Sequence, residues 1–254
     1  MTQHRLAIVR TLVAAYGAWW RLLAAMWPMI LSAFIVILAI SIVASYVPRH
    51  WEEHLAGEAF GLVQSAVWAF LLAPIVIAIH RFVILDEITP TYTFGIGKPA
   101  FRMFFGWLFA LEVLAGLPLD LLGFLEALNW SLLATILSVL AVLVIVAGVS
   151  LRLTILLPAI AVEAPGATPS RAIADSKGQA LRLLALFLLA ILPWLALEFF
   201  GILLLGRRVQ IPGAPPAIIF LVVGCVMKTI ILSIAAVIAS YAFMILAAQV
   251  KRAD

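Results

Sequence analysis

Charged side chains stand inside several long apolar runs of this 254-residue chain, where a charge is costly and often serves a function. At ~1.5 Å per residue, Glu112 lies roughly 15 Å past Arg102, close to the middle of a hydrocarbon core about 30 Å thick. By the same rise, Glu198 and Lys228 fall in the far part of their runs, away from the basic residues that flank those runs. We therefore treat Glu112, Glu198 and Lys228 as a candidate intramembrane polar site.

Glu112 is the deepest of these groups, and it needs a partner or a proton. Burial in apolar surroundings disfavours a charged carboxylate. The residues one helical turn away are Leu108 and Gly116, neither of which can pair with it, so a partner must come from another helix. One interpretation is a proton-coupled path, with a Glu198–Lys228 pair that steers a substrate. The other is interhelical pairing and snorkelling, and both interpretations stay open.

The segment His50-Trp51-Glu52-Glu53-His54 matches the H-x-x-E-H pattern of one class of zinc proteases. Two histidines four residues apart can share a metal ion, but the chemistry also needs a third ligand and a walled cavity. Glu58 lies roughly 12 Å along a helix from His50 and cannot easily close such a site. We expect a solvated turn here, with His50 and His54 as weak metal candidates and no resident cofactor.

Other enzyme motifs are not found in the sequence. Gly95-Ile96-Gly97-Lys98 resembles the end of a phosphate-binding loop, but Tyr92 replaces the first glycine and Pro99 follows the lysine in place of Ser or Thr. There is no G-x-S-x-G segment and no haem-attachment motif. The sequence therefore predicts that the protein is not an enzyme.

The composition places the chain in a lipid bilayer. Apolar residues make up 66% of it and charged residues only 11%, a balance that no soluble domain of this size has. The apolar runs do not alternate with period two, which favours helices over a barrel. The net charge is +4, but the basic residues stand at the ends of runs, so we do not expect nucleic acid as a partner. Cys225 is the one cysteine, and no intramolecular disulfide can form.

The elements that position these residues are predicted to form a single transmembrane domain over residues 1–254. The fold class is an all-α polytopic bundle of six spans, with interfacial amphipathic helices on the cytoplasmic side. The spans are expected at about residues 22–47, 59–79, 103–125, 131–151, 183–205 and 217–250. The interfacial helices are expected at 4–20, where Trp19 and Trp20 would form an aromatic anchor, and at 168–180.

Lysines and arginines are unevenly divided between the two sides that six spans define. Most of them lie on the side that carries both termini, and the opposite side has only Arg49, Arg207 and Arg208. The positive-inside rule then predicts that both termini are cytoplasmic. A subset at the inner headgroup level could bind anionic lipid at ~1 kcal/mol each; topology alone is the alternative explanation. The candidate lipid contacts are Arg10, Arg21, Arg102, Lys177 and Arg182.

Residues 10–24 and 171–185 align as a candidate internal repeat, for which chance similarity between two Leu- and Ala-rich segments is the alternative explanation. An arginine, a glycine, a second arginine and the following Leu-Leu-Ala coincide in the two segments. Each copy is expected to be a short amphipathic helix, a break at the glycine (Gly17 or Gly178), and an arginine that opens a span. Both copies point the same way, unlike the inverted repeats of many transporters.

The hairpin RLTILLPAIAVE at 152–163 and AIADSKGQALRLL at 172–184 resembles a group of six-span bacterial inner-membrane proteins. They are grouped with the membrane domain of glycerophosphoryl diester phosphodiesterase. The segment HRFVILD at 80–86 is similar to an arginine-bearing segment in alphaproteobacterial relatives. The resemblance implies a helix bundle with cytoplasmic elbows in the bacterial inner membrane. The soluble phosphodiesterase domain is not in this sequence, so no catalytic residue is transferred.

These features predict a non-enzymatic membrane protein that acts as a lipid-associated helper or as an accessory subunit of a larger complex. Its expected partners are the bilayer, anionic lipid, and other membrane subunits that dock on small-residue faces such as 116–123 or 235–239. The alternative is a small-solute or proton-coupled transporter that works through Glu112.

Overall fold

The computed structural model describes residues 7–45, 55–206, 217–248 and 250–251, and within these ranges the chain is helical without a strand. The helices are α1 (Ile8–Ala25), α2 (Trp27–Ser45), α3 (Leu55–Leu85), α4 (Pro99–Ala127), α5 (Leu132–Leu153), α6 (Leu156–Ala161), α7 (Pro169–Asp175), α8 (Ala180–Gly206) and α9 (Ala217–Leu246). The predicted all-α fold class is confirmed.

Five stretches of the described chain are long and apolar enough to cross a membrane. They are Gly61–Leu85, Pro99–Ala127, Leu132–Ala161, Ala180–Gly201 and Phe220–Leu246. A sixth is added if α1 and α2 count as one span, although these two helices are bent by 91°. The upper number agrees with the six spans that the sequence predicts.

The outward faces of the bundle are apolar, as expected for a protein in lipid. Leu132 and Val144 on α5 are 76% and 64% exposed, and Leu119 on α4 is 72% exposed. Large exposed apolar surfaces are rare on soluble monomers. They cost nothing against hydrocarbon, so the exposure pattern and the helix lengths indicate the same environment.

The break between α1 and α2 lies at Met26, which is six residues beyond the end of the helix expected at 4–20. Pro28 explains its position, because proline has no N–H to donate to the carbonyl of residue 24 and its ring clashes with that carbonyl. Arg21, where the sequence predicts the start of the first span, is inside α1. A charged residue alone does not end a helix, whereas a proline does.

Helix α1 runs alongside α9 in the opposite direction. Arg10 lies beside Met244 near the end of α9. The indole N–H of Trp19 donates to the hydroxyl of Ser233 at 2.9 Å. Ser233 precedes Leu246, the last residue of α9, by about 20 Å along the helix axis. Trp19 is 3% exposed. The aromatic anchor expected at Trp19 is therefore wrong, because this side chain packs in the bundle interior.

Helix α9 is the centre of the bundle. It contacts α1, α2, α3, α6 and α8. Its stretch 236–242 buries Ala236, Val237, Ile238 and Ala242 almost completely. Small side chains let helix backbones approach closely, which is the main source of helix association in lipid. The composition of α9 thus explains why so many helices can pack on it.

Helix α6 is a short buried segment between α5 and a polar turn. Leu156, Ala159 and Ile160 are 0% exposed, and α6 packs on α3, α4 and α9. The turn after it is tied to the end of the chain, since Gly166 donates to the carbonyl of Val250 at 3.0 Å. The N–H of Val250 in turn donates to the carboxylate of Asp175 at 3.1 Å. These bonds close one end of the bundle.

The helix expected at 168–180 is shorter in the structure, where α7 ends at Asp175. The hydroxyl of Ser176 donates to the carbonyls of Arg152 and Ile173, and Gly178 has a φ of 75°, a left-handed conformation that ends helices. In the aligned position of the first repeat, Gly17 is inside α1. The two copies therefore share sequence but break at different points.

Candidate functional site: a charged pocket at one end of the bundle

A pocket of about 240 Å³ lies where α2, α3, α4 and α6 meet the loop of residues 86–98. We call it the Arg81 pocket. Its charged and hydroxyl-bearing lining consists of Arg81, Glu87, Thr89, Thr93, Lys98 and Glu163. The apolar lining includes Met29, Pro74, Ile77, Ala78 and Phe101. It therefore combines a polar rim with an apolar wall at the end of a membrane bundle.

Arg81 is the best-connected side chain of the pocket. Its Nε and Nη2 groups donate to the same carboxylate oxygen of Glu87, at 2.8 and 2.7 Å. Its Nη1 group donates to the carbonyl of Ala161 at 3.1 Å, and Nη1 lies 3.8 Å from the carboxylate of Glu163. A cation suits the end of α6, where carbonyls lack helical partners. Arg81 thus joins α3, the 86–98 loop and α6.

Two acidic residues, one at the end of α3 and one at the end of α6, occupy a backbone conformation that favours glycine. Asp86 has a φ of 56° and Glu163 a φ of 55°. Asp86 follows α3 and donates its N–H to Phe82 at 3.0 Å; Glu163 follows α6, and the N–H of Ala164 donates to Ala159 at 2.9 Å. These are left-handed helix ends, which cost a non-glycine residue ~1–2 kcal/mol. Such strain collects at functional sites more often than elsewhere.

The 86–98 loop is held against α3 by aromatic side chains. The hydroxyl of Tyr92 donates to the carbonyl of Leu71. Pro74 lies inside α3 and has no N–H to donate to the carbonyl of Phe70, the residue before Leu71, so the helix is interrupted in the turn that Tyr92 contacts. Phe94 stacks on Phe70 with ring centres 5.0 Å apart. Burial raises the pKa of Tyr92 to about 12, so its hydroxyl keeps the proton that it donates.

Lys98 and the two threonines complete the polar rim. Lys98 immediately precedes α4, and its ammonium group has no ion pair within 4.0 Å among the described residues. The hydroxyls of Thr89 and Thr93 have no hydrogen-bond partner in the same part of the chain. These three groups can therefore donate to a ligand without breaking a bond inside the protein.

His80 is fixed behind the pocket, one residue before Arg81. It is 1% exposed, and its Nδ1 atom lies 2.8 Å from the hydroxyl of Ser240 on α9. Its Nε2 atom has no hydrogen-bond partner in the described structure. The ring packs near Phe104, with centres 6.0 Å apart. His80 thus anchors the end of α3 to α9 and α4.

The predicted intramembrane residue Glu112 lies in a groove between α3 and α4, remote from the Arg81 pocket. The groove has a volume of about 620 Å³ and is also lined by Ser65, Gly116 and Asp120. Glu112 is exposed at the surface of the described chain. No described residue forms a hydrogen bond or ion pair with its carboxylate. The partner expected from another helix is therefore not found among the described residues.

Glu198 and Lys228 are not brought together in an ion pair within the described structure. The ammonium group of Lys228 instead lies over the ring of Trp68, 5.8 Å from its centre. A cation over an aromatic face is stabilised by ~0.5–1 kcal/mol at exposed sites. Lys228 therefore has a structural partner on α3, and Glu198 is partly exposed on α8.

The five predicted lipid-contacting cations are on the surface. Arg10, Arg21, Arg102 and Lys177 are exposed, and Arg182 is partly exposed. Arg10 borders a cavity of about 480 Å³ between α1 and α9. Their exposure leaves all five side chains accessible to lipid headgroups. His50 and His54 lie outside the described residues. In the part of the chain that the structure describes, no group of three or more His, Cys, Asp or Glu side chains is arranged to hold a metal ion.

Sequence reasoning missed the Arg81 pocket. The sequence predicts no site at Arg81, Glu87 or Glu163, and it interprets Lys98 only as part of a segment that fails to match a phosphate-binding loop. One signal was available, because Glu87 follows Arg81 by only six residues in the sequence. Glu163 gave no such signal, since it is distant in sequence and its approach depends on how α6 packs.

Comparisons with known proteins assign no family to this chain, so a functional proposal must be based on the geometry of the pocket. No family model, no curated protein and no solved structure matches this chain.

Proposed function

We propose that this is a non-enzymatic protein of the bacterial inner membrane that holds a lipid headgroup in the Arg81 pocket. In this role it acts as a lipid-associated helper or as an accessory subunit of a larger membrane complex. Both termini, and with them the pocket, are on the cytoplasmic side. The observation that carries the proposal is the pocket itself, which places four charged side chains over an apolar wall at the end of a membrane bundle.

The size of the pocket supports a headgroup rather than a whole small molecule. Sites that enclose drug-sized ligands measure ~300–1,000 Å³, whereas this one measures about 240 Å³. A headgroup can enter such a space while its acyl chains stay in the bilayer. The apolar wall of Met29, Pro74 and Phe101 offers contact to the glycerol region. The exposed cations Arg102 and Lys177 would add general attraction to anionic lipid.

Native mass spectrometry of the full chain released from lipid nanodiscs tests the proposal. The wild-type protein should retain lipid, and Lys98→Gln should retain about tenfold less, because one charge-assisted bond to the headgroup is lost. Lys228→Gln is the matched control, since it removes a lysine that lies over Trp68 and outside the pocket. Release without bound lipid, or equal losses in the two variants, would exclude the proposed site.

The cytoplasmic position of the pocket can be tested separately. Ile96 is 54% exposed in the 86–98 loop, and Cys225 is buried. With Cys225 replaced by serine, Ile96→Cys should react with a membrane-impermeant thiol reagent in inverted vesicles and not in intact cells. Labelling of intact cells would place the pocket on the other side and contradict the positive-inside assignment.

A second candidate function, a proton-coupled or small-solute transporter, is favoured by the groove of Glu112. A groove of about 620 Å³ sets the polar side chains of Glu112, Asp120 and Ser65 along the membrane-spanning part of α3 and α4. Glu112→Gln should then abolish uptake while the protein stays folded. Glu198→Gln, on α8 and outside the groove, is the matched control. A lipid-associated role predicts instead that Glu112→Gln leaves function and lipid retention unchanged.

A further inference from the structure

The charges of the Arg81 pocket are balanced, and this restricts the ligand. The rim carries two cations, Arg81 and Lys98, and two carboxylates, Glu87 and Glu163. A purely anionic ligand would be attracted to the cations but would also face both carboxylates. A purely cationic ligand would meet the reverse problem. Like charges in close contact across an interface cost affinity, so the rim is poorly matched to either kind of ligand.

The two charge pairs of the rim are not equivalent. Arg81 and Glu87 are already joined by two contacts of 2.7 and 2.8 Å, and Arg81 also donates to Ala161. Lys98 has no ion pair with any described residue, and Glu163 is 3.8 Å from Arg81 with its side chain 63% exposed. The Arg81–Glu87 pair therefore holds the protein's own elements together and is not available to a ligand. Lys98 and Glu163 are the cation and the carboxylate that remain available.

Lys98 and Glu163 come from different elements. Lys98 stands at the start of α4, and Glu163 in the turn after α6. Thr89 and Thr93, from the 86–98 loop, add two hydroxyl donors to the same pocket. A phosphate oxygen accepts hydrogen bonds from an ammonium group and from hydroxyls, whereas a carboxylate needs a donor such as a primary ammonium group.

We infer that the Arg81 pocket takes a zwitterion made of a phosphate and a primary ammonium group, as in the headgroup of an aminophospholipid. Lys98 contacts the phosphate, with the threonine hydroxyls as further donors. Glu163 accepts from the ammonium group. Each charge of the ligand thus meets its opposite, and the pocket keeps its neutral sum. This inference rests on the proposed function, because it specifies which headgroup the pocket holds.

The test measures lipid retention by the full-length protein in nanodiscs of matched acyl chains. Each nanodisc contains equal amounts of phosphatidylethanolamine, phosphatidylcholine and phosphatidylglycerol, and native mass spectrometry reports which lipid leaves with the protein. Phosphatidylethanolamine should be retained about tenfold over the other two, since only it offers both a phosphate and N–H donors to a carboxylate. Equal retention of the three lipids would overturn the inference and leave the proposed function standing.

Two substitutions separate the roles of the available charges. Glu163→Gln should lower retention of phosphatidylethanolamine about tenfold, to the level of phosphatidylglycerol, and so remove the preference while phosphatidylglycerol is retained as before. Lys98→Gln should lower retention of both, and Lys98→Arg should restore it. Glu198→Gln and Lys228→Gln are the matched controls outside the pocket, and neither should change the preference. A preference that survives Glu163→Gln would overturn the assignment of this carboxylate.

A phosphate joined to a primary ammonium group could come from a membrane lipid or from a soluble small molecule. Soluble phosphoethanolamine distinguishes these two kinds of ligand. It should displace phosphatidylethanolamine only in large excess, because it lacks the glycerol region that contacts the apolar wall. If phosphoethanolamine binds and no lipid is retained, the zwitterion assignment holds and the proposed lipid function fails. If neither phosphoethanolamine nor any lipid binds, both fail. Circular dichroism of each variant shows that the lost binding is not lost folding.

Discussion

Arg81 should be the most sensitive polar position of the described structure, because one side chain joins three elements. Arg81→Gln removes two contacts to Glu87, one to the carbonyl of Ala161, and the weaker approach to Glu163. The residue is 28% exposed in its side chain, and Glu87 is 48% exposed. Water therefore screens these charges, and the expected effect is much smaller than that of a buried ion pair.

Each contact of Arg81 contributes a separate and modest free energy to folding. At 2.7 Å, two unit charges in a water-like dielectric attract by about 1.5 kcal/mol, and the entropy of ordering two side chains reduces this to about 1 kcal/mol. The Glu163 contact at 3.8 Å should add at most about 0.3 kcal/mol. The bond to Ala161 adds about 1–2 kcal/mol, since the donor is charged. Arg81→Gln should thus destabilise the protein by about 2–3 kcal/mol.

A double-mutant cycle measures these parts separately. The free energy of unfolding is obtained from denaturant titrations in mixed micelles for Arg81→Gln, Glu87→Gln, Glu163→Gln and the two double variants. The coupling of Arg81 to Glu87 should be about three times that of Arg81 to Glu163. Equal couplings, or a loss below about 0.5 kcal/mol for Arg81→Gln, would refute the reasoning from distance and exposure.

Tyr92, Glu163 and the Trp19–Ser233 pair are other places where one substitution should have a measurable effect. The pKa of Tyr92 is raised from 10.0 to about 12 by burial, so the unfolded chain loses this proton first and stability should fall between those pH values; Tyr92→Phe should remove that slope in alkaline unfolding titrations. The free energy of unfolding of Glu163→Gly should be about 0.5–1 kcal/mol higher than that of Glu163→Ala, because only glycine adopts the φ of residue 163 without strain. Equal free energies of unfolding for the two variants would argue against strain at this position. Trp19→Phe and Ser233→Ala should each cost about 1 kcal/mol and be non-additive, and additive losses would show that the bond contributes little.

The membrane helices could be predicted because their signal is local. Runs of apolar residues longer than a bilayer is thick leave few alternatives, since the backbone must satisfy its own hydrogen bonds in lipid. The expected spans 103–125 and 131–151 correspond to α4 and α5 within a few residues. Helix ends were less predictable. The second span was expected to end at 79, whereas α3 continues to Leu85 and keeps His80 and Arg81 helical.

Candidate sites were harder to predict, because the position of a residue along a helix does not determine which neighbouring helix its side chain faces. The depth predicted for Glu112 did not indicate its surroundings, since its carboxylate borders a groove and has no partner among the described residues. Lys228 was matched with Glu198 by depth alone, and the structure sets it over Trp68 instead. The glycine aligned by the repeat, Gly17, does not break α1; Pro28, outside the repeat, determines where that helix ends.

The sequence by itself determined that this chain is an all-α membrane protein and where most of its spans lie, because hydrophobic length is a property of consecutive residues. The tertiary structure decided that Arg81, Glu87, Lys98 and Glu163 share one pocket. Their meeting depends on the 86–98 loop folding back to Leu71 and on α6 packing between α3 and α9. Those contacts join residues far apart in the chain, and no local pattern encodes them.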